Sequence, residues 1–268
     1  MTSNLSESLP RELADALGDA GTRLGRLGRR IEYYSTIGST NDIASARAAS
    51  GDHEGAVFVA DAQTSGRGRR GRTWFSPPGA GLYVSTILTP ARSRNGERAT
   101  LLTTLAAGVA LVEGIRQATG LAAALKWPND LAVGRRKLAG ILAEGAGDGI
   151  VLGYGINVTS AQYPPDLIDR VTSLESELGR AADRPRVFAE TLCALSRRYD
   201  DLLEGRFDAI LDAWRSLAPS AVGARVSWTT PAGEHAGVTD GIDDRGALLV
   251  TTANGTERIV AGEINWNL

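Results

Sequence analysis

The sequence predicts an α+β fold: a mixed β-sheet packed with helices, followed by a small all-β unit at the C-terminal end. Three observations carry this. Residues 56–60 are a short, continuously apolar run typical of a buried strand, and residues 81–88 and 150–158 also read as strands. Residues 97–119 form a long pattern in which Leu101, Leu105, Val109, Val112 and Ile115 recur at helical spacing. Beyond Pro219 the pattern changes to short alternating segments, separated by turn signals such as Asn254-Gly255.

Taken in order, residues 1–9 are polar and expected to be disordered. Leu13, Leu17, Leu24 and Leu27 form a helical stripe interrupted by glycines, which predicts one or two weak helices. Residues 31–34 read as a strand. Ser39-Thr40-Asn41-Asp42 then places small polar groups at a helix start, because such side chains satisfy free backbone N–H groups. After the strands at 56–60 and 81–88 and the long helix come further strands at 122–126, 131–133, 137–143 and 150–158. The Gly134-Arg135-Arg136 turn makes a hairpin of 131–133 and 137–143. Residues 172–178, 186–203 and 207–217 read as helices. In the tail, Val226 and Trp228 fall on one face of a strand, and five short strands suggest a small barrel. The expected division is 1–29, an N-terminal extension; 30–219, the main unit; and 220–268, the barrel.

Composition narrows the function. A chain of 268 residues can bury a large core without disulfides. Net charge is −2, so any basic feature is local, and a protein that works by coating nucleic acid is disfavoured. The single cysteine, Cys193, excludes a disulfide framework, and His53 and His235 have no ligands at metal spacing. No signal peptide and no run of eighteen apolar residues occurs, so the expectation is a soluble protein of the cytoplasm.

The local basic feature is residues 66–72, where four arginines and three glycines precede Trp74 and Phe75. Glycine permits close backbone approach, guanidinium forks match phosphate or carboxylate, and an indole offers a face for stacking. The loop therefore reads as a clamp for an anion with an attached ring, or else as solvated surface. Gln63 leads into it. Downstream, Lys126-Trp127-Pro128-Asn129-Asp130 and Arg136-Lys137-Leu138-Ala139-Gly140-Ile141 need explaining with it, as does Asn157. Gly140 inside a strand marks close approach by a ligand or backbone. Lys137 is then either a fixed cation at a pocket mouth or a turn residue. Asp130 is either a turn residue or a carboxylate that holds Mg²⁺ against phosphates. Glu144 reads as an ordinary ion-pair partner at a strand end.

These motifs together resemble the biotin–protein ligases. The matching residues are Ser39-Thr40-Asn41, the loop from Gly66 to Arg72 with Trp74-Phe75-Ser76-Pro77, Lys126 to Asp130, Arg136 to Leu142, and Gly155-Ile156-Asn157. The resemblance implies a class II synthetase-like catalytic domain with a C-terminal SH3-like barrel. It implies activation of biotin by ATP and Mg²⁺ to biotinyl-5′-AMP, then transfer to a lysine of a biotin carboxyl carrier domain. By the same resemblance Ser39, Thr40, Asn41, Gln63, Gly66 and Arg67 surround the ureido ring. Trp127, Leu138, Gly140 and Ile141 wall the apolar part. Lys137 meets both the biotin carboxylate and the α-phosphate; with Arg69 and Asp130 it forms the catalytic set, Asp130 being the candidate Mg²⁺ ligand. Arg69, Arg70, Arg72, Trp74, Asn129 and Asn157 are assigned to the nucleotide. Longer family members carry an N-terminal DNA-binding domain, for which too few residues precede the first strand here. The resemblance therefore implies a ligase without DNA binding or membrane attachment, a monomer or weak dimer. The alternatives are a lipoate or octanoate ligase or transferase of the same architecture, and a nucleic-acid-binding module.

Overall fold

The computed structural model describes residues 6–51, 54–161, 163–231 and 233–266. His53 and the first five residues of the polar N-terminal stretch lie outside these. Residues 6–9 are not a free tail: the Glu7 backbone N–H donates to Tyr33 O at 2.8 Å, and its carboxylate accepts from the Ser35 N–H and hydroxyl. Short polar segments can dock on a strand edge whose N–H and C=O groups are otherwise unpaired, which composition alone does not reveal.

Helix α1 (Arg11–Ala20) and a following 3₁₀ segment lead to β1 (Arg30–Ile37). Next come α2 (Thr40–Ala49), β2 (Ala56–Gln63), β3 (Gly81–Leu88) and α3 (Gly96–Thr119). Four strands follow: β4 (Ala124–Lys126), β5 (Asp130–Val133), β6 (Arg136–Ala146) and β7 (Gly149–Asn157). Helices α4 (Leu174–Leu178), α5 (Arg184–Leu203) and α6 (Phe207–Leu217) complete this part. The sheet order is β1-β2-β3-β7-β6-β5-β4. Only β1 and β2 pair in parallel, joined by the α2 crossover that parallel strands require. The sheet is therefore mixed, as the sequence predicts.

Both sheet faces are covered, which explains why β3 is buried at every position, its Ser85 and Thr86 included. On one face lies the main core, with α3 and α5 against Leu82, Val84, Leu152, Tyr154, Ile156 and Ile141. On the other, α2 covers a smaller cluster that includes Phe58, Ala60, Tyr83 and Val151. Helix α3 is long and apolar enough to span a membrane by length and composition, but here it is the central core helix. Asn95 caps it by accepting from the Arg98 N–H, and left-handed Gly120 ends it. Its buried stripe runs through a close neighbour of Leu101: Leu101 is 46% exposed and Leu102 is fully buried. The helix packs on the sheet, on α5 and on α6, so its covered arc is wider than a single periodic stripe.

The C-terminal part is a five-stranded antiparallel sheet: β8 (Val222–Thr230), β9 (Gly233–Ile242), β10 (Leu248–Thr252), β11 (Gly255–Ile259) and β12 (Asn265–Trp266). Its order is β11-β10-β9-β8-β12. Val226 and Trp228 are both buried on one face, as their alternation predicts. The sheet is anchored to the first part where the Trp127 indole N–H donates to Gly246 O at 3.0 Å.

Candidate functional site

Two registered rows cross the α2-covered face of the large sheet. One runs Tyr83, Gly155, Gly140, and the next runs Ser85, Gly153, Leu142. Three of these six positions are glycines, so the backbone itself forms the floor of a trough. Side chains lie directly on it. A Cβ on Gly155 would stand 2.3 Å from Trp74 Nε1, and one on Gly140 would stand 2.9 Å from Trp74 Cζ3. A Cβ on Gly153 would stand 1.9 Å from Asn41 Oδ1. No side chain larger than hydrogen fits at these positions without moving Trp74 or Asn41. The Trp74 indole N–H is buried with no hydrogen-bond partner, a polar group that a ligand could satisfy.

At one end of the trough, Lys137 Nζ lies 5.2 Å from the Trp74 ring centroid and 2.6 Å from Asp130 Oδ1. A register shift places it there. Leu131 pairs with Ala139 and Ala132 with Lys137, so Leu138 is an extra, bulged residue. A bulge re-aims side chains, and here it brings Lys137 over Gly140, two residues of opposite parity to one place.

At the other end, polar groups interlock. Gln63 Oε1 accepts from the Thr40 backbone N–H at 2.9 Å, and its amide donates to Ser76 Oγ at 3.0 Å. Gln63 thus does for the first turn of α2 what a cap would do, while the Ser39 side chain, in the N-cap position, makes no capping bond. The Ser85 hydroxyl lies 2.7 Å from Thr40 Oγ1 and donates to Asn41 Oδ1 at 2.6 Å. Asn41 Nδ2 donates to Glu144 Oε2 at 2.7 Å.

The basic loop is a hairpin. Trp74 N donates to Gly66 O, Gly68 N donates to Arg72 O, and Arg67 pairs with Thr73. Its tip holds Arg70 at φ 57° and Gly71 at φ 71°, the left-handed pair that closes the turn. At its base Gly66 is packed so tightly that a Cβ would stand 2.5 Å from Trp74 O. Every loop arginine is held by a polar partner. Arg67 contacts Asp42 at 2.8 Å and Glu144 at 3.0 Å, and Arg69 donates to Asn129 Oδ1 at 3.1 Å. Arg70 and Arg72 both face Glu263 of the C-terminal part. Desolvation, then the neighbouring Arg70, pulls the Arg69 guanidinium below its ordinary range. Desolvation likewise lowers Lys126, which lies 5.7 Å from the Trp266 ring.

The structure thus brings Thr40, Asn41, Gln63, Gly66, Arg67, Trp74, Asp130, Lys137 and Gly140 around one trough, with Ser39 at the start of α2. Arg69, Arg70 and Arg72 flank it. It does not bring the expected apolar walls. Trp127, Leu138 and Ile141 belong to the main core on the opposite face. Ile141 alternates with Gly140 and so must face away, Leu138 is the bulged residue, and Trp127 is turned toward Gly246. Trp127 also lines a separate cavity of about 620 Å³ between α3 and the C-terminal sheet, bordered by Arg69, Asn129, Ile141 and Val260. Asn157 is buried with its amide donating to Thr172 O at 2.9 Å, and Asn129 donates to Ile141 O at 2.6 Å. His235 stacks on Trp228 in the C-terminal sheet, and no cluster of three or more metal-binding side chains occurs among the described residues.

Four participants had no site role in the sequence reading: Ser85, Ser76, Asp42 and Glu263. Ser85 carried a signal, a small hydroxyl two residues after Tyr83 and so on the same face of that strand. Glu263 carried none, because it reaches the loop only through the packing of the two parts.

A family model described as the biotin/lipoate A/B protein ligase family matches residues 33–159, and one described as the biotin protein ligase C-terminal domain matches residues 222–265. The chain is 33% identical to the biotin–[acetyl-CoA-carboxylase] ligase of Mycobacterium tuberculosis, over 95% of this chain and 94% of that one. It is 34% identical to the bifunctional ligase/repressor BirA of Bacillus subtilis, over 95% of this chain and 79% of that protein. The biotin protein ligase of Aquifex aeolicus in complex with biotin and ATP superposes with a TM-score of 0.77 at 29% identity, covering 89% of this chain and 99% of that one. On its sequence, its sheet topology and the residues gathered at its trough, the chain belongs to the biotin protein ligase family.

Proposed function

We propose that this protein activates biotin with ATP to biotinyl-5′-AMP and transfers the biotinyl group to a lysine of a biotin carboxyl carrier domain. The carrying observation is the trough itself: a glycine floor with a hydrogen-bonding end at Thr40 and Gln63 and a lysine at the other end. Biotin has matching halves, a ureido group that both donates and accepts, and a chain ending in a carboxylate.

In this reading Ser39, Thr40, Asn41, Gln63, Gly66 and Arg67 form the ureido end, and Gly140 lets the Trp74 indole and the Lys137 side chain lie close to the sheet beside the bound rings. Lys137 holds the biotin carboxylate beside the α-phosphate of ATP. The carboxylate oxygen bonds to the α-phosphorus and the bond to pyrophosphate breaks, with the lysine neutralising charge that builds at the phosphoryl oxygens. The carrier's lysine amine then attacks the acyl carbon, forming an amide and releasing AMP. No side chain of this protein need act as a nucleophile, so catalysis is positioning and electrostatics. Arg69, Arg70 and Arg72 serve the phosphates, Trp74 the adenine, and Asn129 orients Arg69.

Among the described residues Asp130 is the carboxylate paired with Lys137, which already neutralises it. The residues present therefore do not build a resident Mg²⁺ site, and Mg²⁺ is best written as the counter-ion that arrives with ATP. Residues 30–219 are proposed as the catalytic unit and 220–268 as a barrel that supplies Glu263 to the loop. The proposed compartment is the cytoplasm, where ATP and carrier are both present.

The test is ATP–pyrophosphate exchange with biotin and with lipoate. Biotin-dependent exchange, followed by labelling of a carrier domain, is expected; exchange with lipoate alone would overturn the reading.

A further inference from the structure

Glu144 sits beyond the trough, on β6, and nothing in the reaction above uses it. One of its oxygens, Oε2, nevertheless serves both the loop and α2. It accepts from Arg67 Nη2 at 3.0 Å and from Asn41 Nδ2 at 2.7 Å.

The second contact has a consequence along the chain of hydroxyls. An ionised carboxylate can only accept. It therefore holds the NH₂ end of the Asn41 amide, and Asn41 Oδ1 must face Ser85 Oγ at 2.6 Å. A carbonyl oxygen also only accepts, so the single Ser85 proton points to Asn41. Ser85 then has no proton for Thr40 Oγ1 at 2.7 Å, and Thr40 must donate there. The competing acceptor, Gln63 Oε1, is farther from Thr40 Oγ1 at 3.1 Å and already takes the Thr40 backbone N–H at 2.9 Å. The free lone pair of Thr40 is left as an acceptor, the partner a ligand N–H needs. Gly153 is part of the device, since any Cβ there would displace the Asn41 amide.

We propose that Glu144 is a positioning residue for biotin, setting the donor and acceptor sense of the ureido end through Asn41 and Ser85 while holding Arg67 over the same end. The proposal rests on the placement of the ureido group at Thr40 and Gln63. A neutral amide at position 144 could donate as well as accept, so the Asn41 amide would lose its fixed orientation and Arg67 would keep only Asp42 as a counter-charge.

The experiment is steady-state exchange kinetics on Glu144→Gln, Asn41→Ala and the double variant. Hydrogen bonds to charged groups are worth about tenfold or more in affinity, so each single variant should raise the KM for biotin by about tenfold. The KM for ATP, and kcat at saturating biotin, should stay within about twofold. Because Glu144 acts through Asn41, the double variant should be no worse than the more affected single one. Unchanged biotin KM in Glu144→Gln, or strictly multiplicative effects in the double variant, would overturn the proposal. Should Glu144→Gln fail to fold, Ser85→Ala breaks the same relay beyond Asn41 and must raise the KM for biotin alone. Gln63→Leu separates the two readings. If it leaves biotin KM unchanged, the ureido placement is wrong. If it raises biotin KM while Glu144→Gln does not, only the Glu144 proposal is wrong.

Discussion

The indole nitrogen of Trp74 lies where a Cβ on Gly155 would approach it to 2.3 Å. The loop's aromatic residue therefore rests on bare sheet, and the glycine is what admits it. Gly155→Ala should push Trp74 off the floor and cost about 1–3 kcal/mol of stability, the usual range for overpacking. Biotin and ATP should bind more weakly, and the tryptophan emission of the apo protein should shift. Unaltered emission and unaltered KM values would mean that the Trp74 position has no bearing on the site.

Lys137 and Asp130 form a partly exposed pair, 33% and 28% accessible. Lys137→Ala removes a charge and no core volume. Pyrophosphate exchange should fall by about 10²–10³-fold, the scale of losing one electrostatic contact to a transition state. The thermal midpoint should stay within a few degrees. Exchange at the wild-type rate would reduce Lys137 to a turn residue.

Glu263 is the only carboxylate facing Arg70 and Arg72 among the described residues, and all three side chains are substantially exposed. Such pairs add about 0–1 kcal/mol. Glu263→Gln should therefore barely change stability, while releasing two cations to phosphate, so the KM for ATP should fall. The difference from wild type should fade at high salt, where exposed charges are screened. A rise in the KM for ATP would show instead that Glu263 holds the arginines in their working position.

Gly114 lies inside α3, in its last third, where alanine would gain about 1 kcal/mol of helix propensity. A Cβ there would stand 2.5 Å from Thr191 Cα and 2.7 Å from Thr191 N on α5. Backbone cannot yield as a side-chain tip can, so the clash wins. Gly114→Ala should lower the calorimetric midpoint by several degrees, at about 2–4 °C per kcal/mol for a chain of this size.

The strands and long helices were legible because burial imposes a pattern that composition records. A continuous apolar run marked β2, and the helical recurrence of Leu105, Val109, Val112 and Ile115 marked α3. Gly140 advertised a close approach, and the loop advertised its arginines. The faces were less legible. Leu138 and Ile141 flank Gly140 in sequence and were expected to line the same pocket. Strand alternation and a bulge turned them into the core, because a one-residue shift in pairing changes which side chains reach a face.

By itself, the sequence determined the mixed sheet, the change to short strands after Pro219, and which residue types could meet biotin and ATP. The tertiary structure alone decided that three glycines from two strands make one floor and that Trp74 lies on it. It also decided that Glu144 reaches both Asn41 and Arg67, and that Glu263 meets the loop from the other end of the chain. The physical reason is range. Propensity and periodicity act over a few residues, whereas a hydrogen bond or a close contact depends on the register of strands that lie far apart in the chain.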